Sequence, residues 1–360
     1  MCLLSLMSGF KWFAIPDVLL ENRVMSDIIV IGDINVDVNF TIPAYPVPGN
    51  EAIATTVRMH TGGSGVNTAI ALSKMDMDVG FIGRVGQDTL ADQVLADLRA
   101  AGVDCTHIQT DPNVSTGLVF IAVTADGERT MFSARGANAF TDAGMINANC
   151  FDQCRWVHLS GYSFLSHHQY EATMVALDLA ENSPYTRVSL DVSTEPALRA
   201  CTKIIEVLSR IDVIFPNEAE LTLLSKGRPI NESLDYLLDQ GVHAIVTKCG
   251  HKGSILALDG KRTRMPAFDV EVEDTTGAGD SFDAGVVLGR LIGLSWEASV
   301  ALGNALGGLA TTQNGSGVDS IRRNVVAKLI EKHLFHPEWA PVQFALEELI
   351  AYFESNEGIV

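Results

Sequence analysis

Positive charge is scarce in this chain: 25 Lys and Arg stand against 44 Asp and Glu in 360 residues, a net charge of −19. That balance argues against nucleic acid or an anionic membrane surface as a partner. Long apolar runs are missing too, since none reaches the roughly 18 residues a membrane span needs. The opening Met-Cys-Leu-Leu-Ser-Leu-Met is apolar but has no basic region before it, so it does not read as a signal sequence. The six cysteines, Cys2, Cys105, Cys150, Cys154, Cys201 and Cys249, never fall in the C-x-x-C spacing of a zinc site. They are expected to be ordinary thiols of a reduced, cytoplasmic protein. No internal repeat or long low-complexity tract is visible.

Two familiar phosphate-binding patterns are absent as well. No Gly-x-x-x-x-Gly-Lys-Ser/Thr loop occurs. The nearest approach to a dinucleotide fingerprint, Gly277-Ala278-Gly279-Asp280-Ser281-Phe282, fails at its last position and lies near the C-terminus instead of after the first strand. This excludes the nicotinamide-dehydrogenase reading of an α/β chain.

What is present is an apolar fraction of 47% and a mean hydropathy of +0.19, enough for a large buried core. Asp27-Ile-Ile-Val-Ile-Gly-Asp33 has four consecutive β-branched residues and predicts a parallel strand buried on both faces. Asp33, Asn35 and Asp37 follow at alternate positions, a polar row where open α/β sheets bind ligands. Residues 38 to 60 and the Asp126-Gly127 hairpin between 115 and 135 predict a small sheet outside the main one. From 155 onward strands and helices alternate: Trp156–Ser160, Val188–Asp191, Val213–Phe215 and His243–Lys248 are the strand segments. The pattern predicts a mainly parallel sheet with helices on both faces. Residues 281–293 and 296–312 read as glycine-rich helices, and the tail after 320 as helical and polar.

The chemistry is concentrated in Asp274-Thr275-Thr276-Gly277-Ala278-Gly279-Asp280. A helix start exposes unpaired N–H groups and a positive dipole end, and small residues let an anion approach them. A carboxylate just inside that nest is better used as a base toward a hydroxyl than as the bound anion. The segment therefore predicts phosphoryl transfer. A second glycine-led helix start, Gly62-Gly63-Ser64-Gly65-Val66-Asn67, can hold a polar ligand through backbone N–H groups and Asn67.

These motifs, with Asn217-Glu218-Ala219-Glu220, resemble those of the ribokinase, or PfkB, family of sugar and nucleoside kinases. They run in the family's order over roughly 27–325. The resemblance implies a three-layer α/β/α fold with a central mainly parallel sheet and a small β-sheet lid. It implies a kinase domain over 25–325, with lid segments near 38–60 and 115–135. Residues 1–24 are expected to be an extension, disordered or preceding the true start, and 326–360 a helical cover. It further implies that ATP, with Mg²⁺, phosphorylates a sugar or nucleoside hydroxyl. Asp280 would be the general base, and the Gly277, Ala278 and Gly279 backbone the anion hole. Asn35, Asp37, Gly63, Ser64 and Asn67 would hold the substrate. Asn217, Lys248, Gly250 and Asn304 would serve the nucleotide, and Glu220 the Mg²⁺ through water. Asp274 and Thr276 match positions where many members bind a monovalent cation, often K⁺. A lid that pairs with another lid in this family implies a homodimer. Ser64 departs from the lysine usual in ribokinases proper, which leaves the substrate open among ribose, fructose, a keto-deoxy sugar acid, a sugar phosphate and a nucleoside. Arg84, Arg129 and Arg135 are candidate cations for a phosphorylated substrate. The alternatives carried forward are a nucleoside kinase and an inactive, ribokinase-like ligand sensor.

Overall fold

The computed structural model describes residues 26–355; the expected extension over 1–24 lies outside them. The first half runs β1 (Ile28–Ile31), β2 (Asn35–Thr41), β3 (Thr56–Gly62), α1 (Ser64–Ser73), β4 (Val79–Gly86), α2 (Thr89–Ala100) and β5 (Ile108–Asp111). The hairpin β6 (Gly117–Val123) and β7 (Arg129–Ala134) follows. Then come β8 (Trp156–Ser160), α3 (His167–Glu181), β9 (Arg187–Asp191), α4 (Thr194–Arg199) and α5 (Cys201–Val207). The alternation continues through β10 (Val213–Phe215), α6 (Glu218–Leu224), α7 (Ile230–Leu238), β11 (Ala244–Lys248), β12 (Ser254–Leu258) and β13 (Lys261–Met265). Four helices close the described chain: α8 (Ala278–Leu291), α9 (Trp296–Ala310), α10 (Arg323–His333) and α11 (Gln343–Ser355).

Nine strands form one sheet in the order β13-β12-β11-β10-β9-β8-β1-β4-β5. The seven from β11 to β5 are parallel, and β12 and β13 are antiparallel. The four β-branched residues of β1 explain its central place. Ile28 and Val30 pack into the layer built by α1, α2 and α8 to α11. Ile29 and Ile31 pack into the opposite layer, built by α3 to α7. This is the three-layer arrangement expected from the β/α alternation. A separate four-stranded sheet, β3-β2-β6-β7, forms the lid. Residues alternate between its faces, so Asn35 and Asp37 share the inner face with their partners Gly62 and His60. Asp33 precedes β2 and turns away from that row to other partners.

Helices α8 and α9 explain their own glycines. A Cβ on Gly285 would stand 2.7 Å from the Gly303 Cα, so the two helices touch along their backbones. That close approach sets the position of the α8 N-terminus. The tail that reads as polar in sequence buries Trp339, Leu346, Leu349 and Phe353 in the same layer. Its apolar residues recur one per turn and are diluted by charged neighbours, which hides them from a composition reading.

Candidate active site

The site lies at the C-terminal ends of the parallel strands, where α1 and α8 begin side by side. Gly277 ends the approach to α8 with φ +72°, and no side chain caps the helix. A Cβ there would stand 2.5 Å from the Ser316 carbonyl oxygen, so both the angle and the space call for glycine. The N–H groups of Gly279 and Asp280 lie in the first turn, where an α-helix offers no partner. Lys248 lies beneath this nest; a Cβ on Gly279 would be 3.4 Å from its Nζ.

Asp280 sits in that first turn with a partly open face. Asn67 Nδ2 donates to its Oδ2 at 2.7 Å, and the Thr68 hydroxyl donates to its carbonyl at 3.2 Å. Desolvation and the nearby Asp191 charge push its carboxyl up to about 7, against the pull of Asn67 and Lys248. A carboxyl in that range is matched to proton transfer at neutral pH. Behind it, Lys248 Nζ donates to Asp191 at 2.9 Å and to Asp283 at 3.2 Å. Ser64 and Ser193 hydroxyls also donate to Asp191, at 2.9 and 2.7 Å. Burial alone would raise the Asp191 carboxyl, but Lys248 and these donors hold it down at about 2. Asp283, fully buried with a share of one ammonium, is pushed well up by desolvation. Lys248 is raised above the ordinary lysine value, because Asp191, Asp283 and Glu220 outweigh its own burial.

Asn217 and Glu220 form a reciprocal cap at the start of α6. Glu220 N donates to Asn217 Oδ1 at 2.9 Å, and Asn217 N donates back to Glu220 Oε2 at 2.9 Å. The Thr194 hydroxyl donates to Glu220 at 2.9 Å, so the pair faces the Asp191 cluster. Burial raises the Glu220 carboxyl. Among the described residues no group of three or more His, Cys, Asp or Glu is set to hold a metal ion. One carboxylate beside a phosphate nest fits an ion that keeps most of its ligands as water and phosphate oxygens.

The expected substrate residues gather under the lid. Asp37 is raised to about 6 by desolvation. Gly62 makes room for it, since a Cβ there would overlap the Asp37 carboxylate. Gly63, at φ +114°, packs on the Asp33 carbonyl. Asn35 Oδ1 accepts from Asn138 Nδ2 at 2.9 Å, and Asn138 Oδ1 accepts from the Ile34 N–H at 2.8 Å. Arg135 grips Asp33 with two N–H groups at 2.9 and 2.7 Å, and Gln169 Nε2 donates to the same carboxylate at 2.9 Å.

Three expectations need correction. Lys248 turns inward to Asp191 and Asp283 instead of outward to a nucleotide. Arg84 pairs with Asp111 at 2.9 Å and Arg135 with Asp33, so neither is a free cation for a substrate phosphate. The K⁺ expected at Asp274 and Thr276 does not fit. The Arg129 guanidinium already donates to the Asp274 carboxylate and the Thr276 hydroxyl. Two further expected residues stand apart from the Asp280 cluster. Gly250 is exposed in the turn after β11. Asn304 on α9 donates to the Pro266 carbonyl at 2.9 Å, and Pro266 also lines an open cavity of about 740 Å³ with His251, Lys252 and Arg264. Sequence reasoning missed Asp283, Ser193, Asn138 and Gln169 as members of the site. Asp283 had a signal: a carboxylate one turn beyond Asp280 on an otherwise apolar helix. Ser193 carries its signal in the backbone, a φ of +57° that no composition reveals.

Comparison with known proteins shows the family to which the sequence and fold are similar. A ribokinase of Staphylococcus aureus (strain COL) is 31% identical over 271 residues, covering 73% of this chain and 86% of that protein. A deoxyribokinase of Salmonella typhi is 28% identical, covering 71% of this chain and 83% of its own length. The solved ribokinase of Thermotoga maritima superposes with a TM-score of 0.75 at 25% identity, covering 85% of this chain and all of that one. The family pattern described as pfkB family carbohydrate kinase matches residues 25–322. This chain belongs to the pfkB family of carbohydrate kinases.

Proposed function

We propose that this protein transfers the γ-phosphoryl group of ATP to a hydroxyl of a neutral sugar or nucleoside. The observation that carries the reading is Asp280: a carboxyl raised to about 7 in the first turn of an uncapped helix. Asp280 takes the proton of the attacking hydroxyl as the new P–O bond forms. The N–H groups of the Gly277–Gly279 turn meet the charge on the phosphoryl in transit. Asn67 holds the carboxylate toward the substrate side, while Asn35, Asp37, Gly63 and Ser64 border the sugar. Lys248 adds positive potential under the nest through the structure rather than by contact. Mg²⁺, when bound with the triphosphate, would supply charge neutralisation there. Glu220 and Asn217 would hold it through water, with Gly250 and Asn304 toward the base.

A neutral substrate is favoured because the three candidate arginines are each engaged with a carboxylate: Arg84 with Asp111, Arg129 with Asp274 and Arg135 with Asp33. Asp37 adds an uncompensated carboxylate that would repel a phosphate. The outer face of the lid leaves Val57, Met59, Phe120 and Phe132 exposed, which supports a homodimer through the lid. The free thiols of Cys105, Cys150, Cys154, Cys201 and Cys249 suit a reducing cytoplasm.

The test is ADP release from MgATP with ribose, 2-deoxyribose, fructose, adenosine and ribose 5-phosphate. The reading expects turnover with at least one neutral acceptor and none with the phosphorylated one. Binding of these ligands without turnover would replace it with a ligand sensor.

A further inference from the structure

Arg129 joins two parts of the molecule that are otherwise far apart in the chain. It opens β7 in the lid and pairs with Val123, which pairs in turn with Thr41. Those registers put Arg129 on the inner face with Asp37 and Asn39. From there it reaches the loop before α8. One terminal nitrogen donates to Asp274 Oδ1 and the other to the Thr276 hydroxyl. Asp274 Oδ1 also accepts from the Thr276 N–H at 2.8 Å, and Oδ2 accepts from the Gly315 N–H at 3.1 Å. The carboxylate is thus held by donors from the lid, from its own turn and from the 311–317 loop. Burial would raise its pKa, but these donors hold it below the ordinary carboxylate range.

We propose that the Arg129 guanidinium does in this chain what a bound monovalent cation would do at Asp274 and Thr276. It supplies one positive charge that holds the 274–277 turn, and hence the anion hole, in its working shape. A guanidinium has fixed N–H directions and keeps its charge at any working pH. A cation needs those same oxygen atoms as ligands, and here they already accept hydrogen bonds. Two consequences follow. The protein needs no added K⁺, and the charge arrives only when the lid is down. Arg129 is therefore a positioning residue, acting on phosphoryl transfer through Asp274 and Gly277. The inference rests on the phosphotransferase reading for its role in turnover, but its cation claim can be measured without turnover.

The experiment compares wild type, Arg129→Met and Arg129→Lys in KCl and in tetramethylammonium chloride at equal ionic strength. It reads the melting temperature, ADP affinity and phosphotransfer rate. For wild type, K⁺ is expected to change the rate and the ADP affinity by less than about twofold and to leave Tm unmoved. Arg129→Met is expected to lose about tenfold or more in rate without K⁺, and to regain rate, ADP affinity and Tm when K⁺ is added. Arg129→Lys keeps a charge on a flexible stem and is expected to stay insensitive to K⁺, which covers the case where the methionine variant folds poorly. Activation or thermal stabilisation of wild type by K⁺ would overturn the proposal, as would a methionine variant with no response to K⁺. If no acceptor turns over, the Tm and ADP-binding results still decide the cation claim, while the missing turnover counts against the phosphotransferase reading alone.

Discussion

The two ends of the 274–280 segment carry the same side chain in opposite surroundings. Asp274 accepts from two backbone N–H groups, and a guanidinium pairs with it. Asp280 receives one amide from Asn67, faces the Asp191 charge and is desolvated on the side that packs against the protein. The first is held below the ordinary carboxylate range and the second is pushed up to about 7. A carboxylate saturated with donors is an anchor. One short of donors and close to another negative charge holds a proton more readily, as a base must. The five intervening residues turn the chain into a helix start, and that turn separates the two environments.

The largest expected effect tests the charge that supports both roles. Lys248→Met leaves Asp191 and Asp283 without their ammonium, and stability should fall by about 3–5 kcal/mol in denaturant unfolding. A neutral result would show that these carboxyls share protons rather than lean on Lys248. Asp274→Asn should cost about 1.5–3 kcal/mol by the same measurement, since it removes charge-assisted hydrogen bonds. Because the folded pKa is depressed below 3.8, this wild-type contribution is complete above that value and fades as pH falls through the lower folded one. The Asp274→Asn variant should lack that acid-dependent part, and its pH–rate profile should keep the limb set by Asp280. Gly277→Ala meets both a positive φ and the Ser316 oxygen, so it should cost about 1–3 kcal/mol and lower kcat with little change in sugar KM. Asn67→Ala should have the smallest effect. It removes a donor that lowers the Asp280 pKa, so the acid limb moves to higher pH and kcat/KM at neutral pH drops about tenfold. A limb that stays in place would mean the amide positions Asp280 without tuning it.

The fold was legible wherever a signal is local. Four β-branched residues announced a strand buried on both faces, Asp126-Gly127 a hairpin, and the paired glycines the starts of α1 and α8. The carboxylate proposed as the base, Asp280, stands out in sequence for the same reason, since nest and carboxylate are neighbours in the chain. Long-range pairing was not. Arg129 and Asp274 are 145 residues apart, and only the folded lid brings them together, a pairing that the resemblance behind the cation expectation at Asp274 and Thr276 does not reveal. The family resemblance implies Lys248 as a nucleotide residue, yet two buried carboxylates draw it inward. Gln169 and Asn138 carry no pattern at all, because each satisfies groups that only the tertiary fold leaves unpaired.

The central claim is that Asp280 takes the hydroxyl proton while the uncapped helix start holds the phosphoryl group. Single-turnover phosphoryl transfer, measured across pH for wild type and Asp280→Asn at matched ATP occupancy, tests it most directly. The account predicts a wild-type rate that falls with unit slope below about pH 7. It predicts a loss of about 10²–10⁴-fold in the variant, with ATP affinity retained. A variant that transfers phosphate at near wild-type rate, or a wild-type rate that is flat from pH 5 to 8, would contradict it.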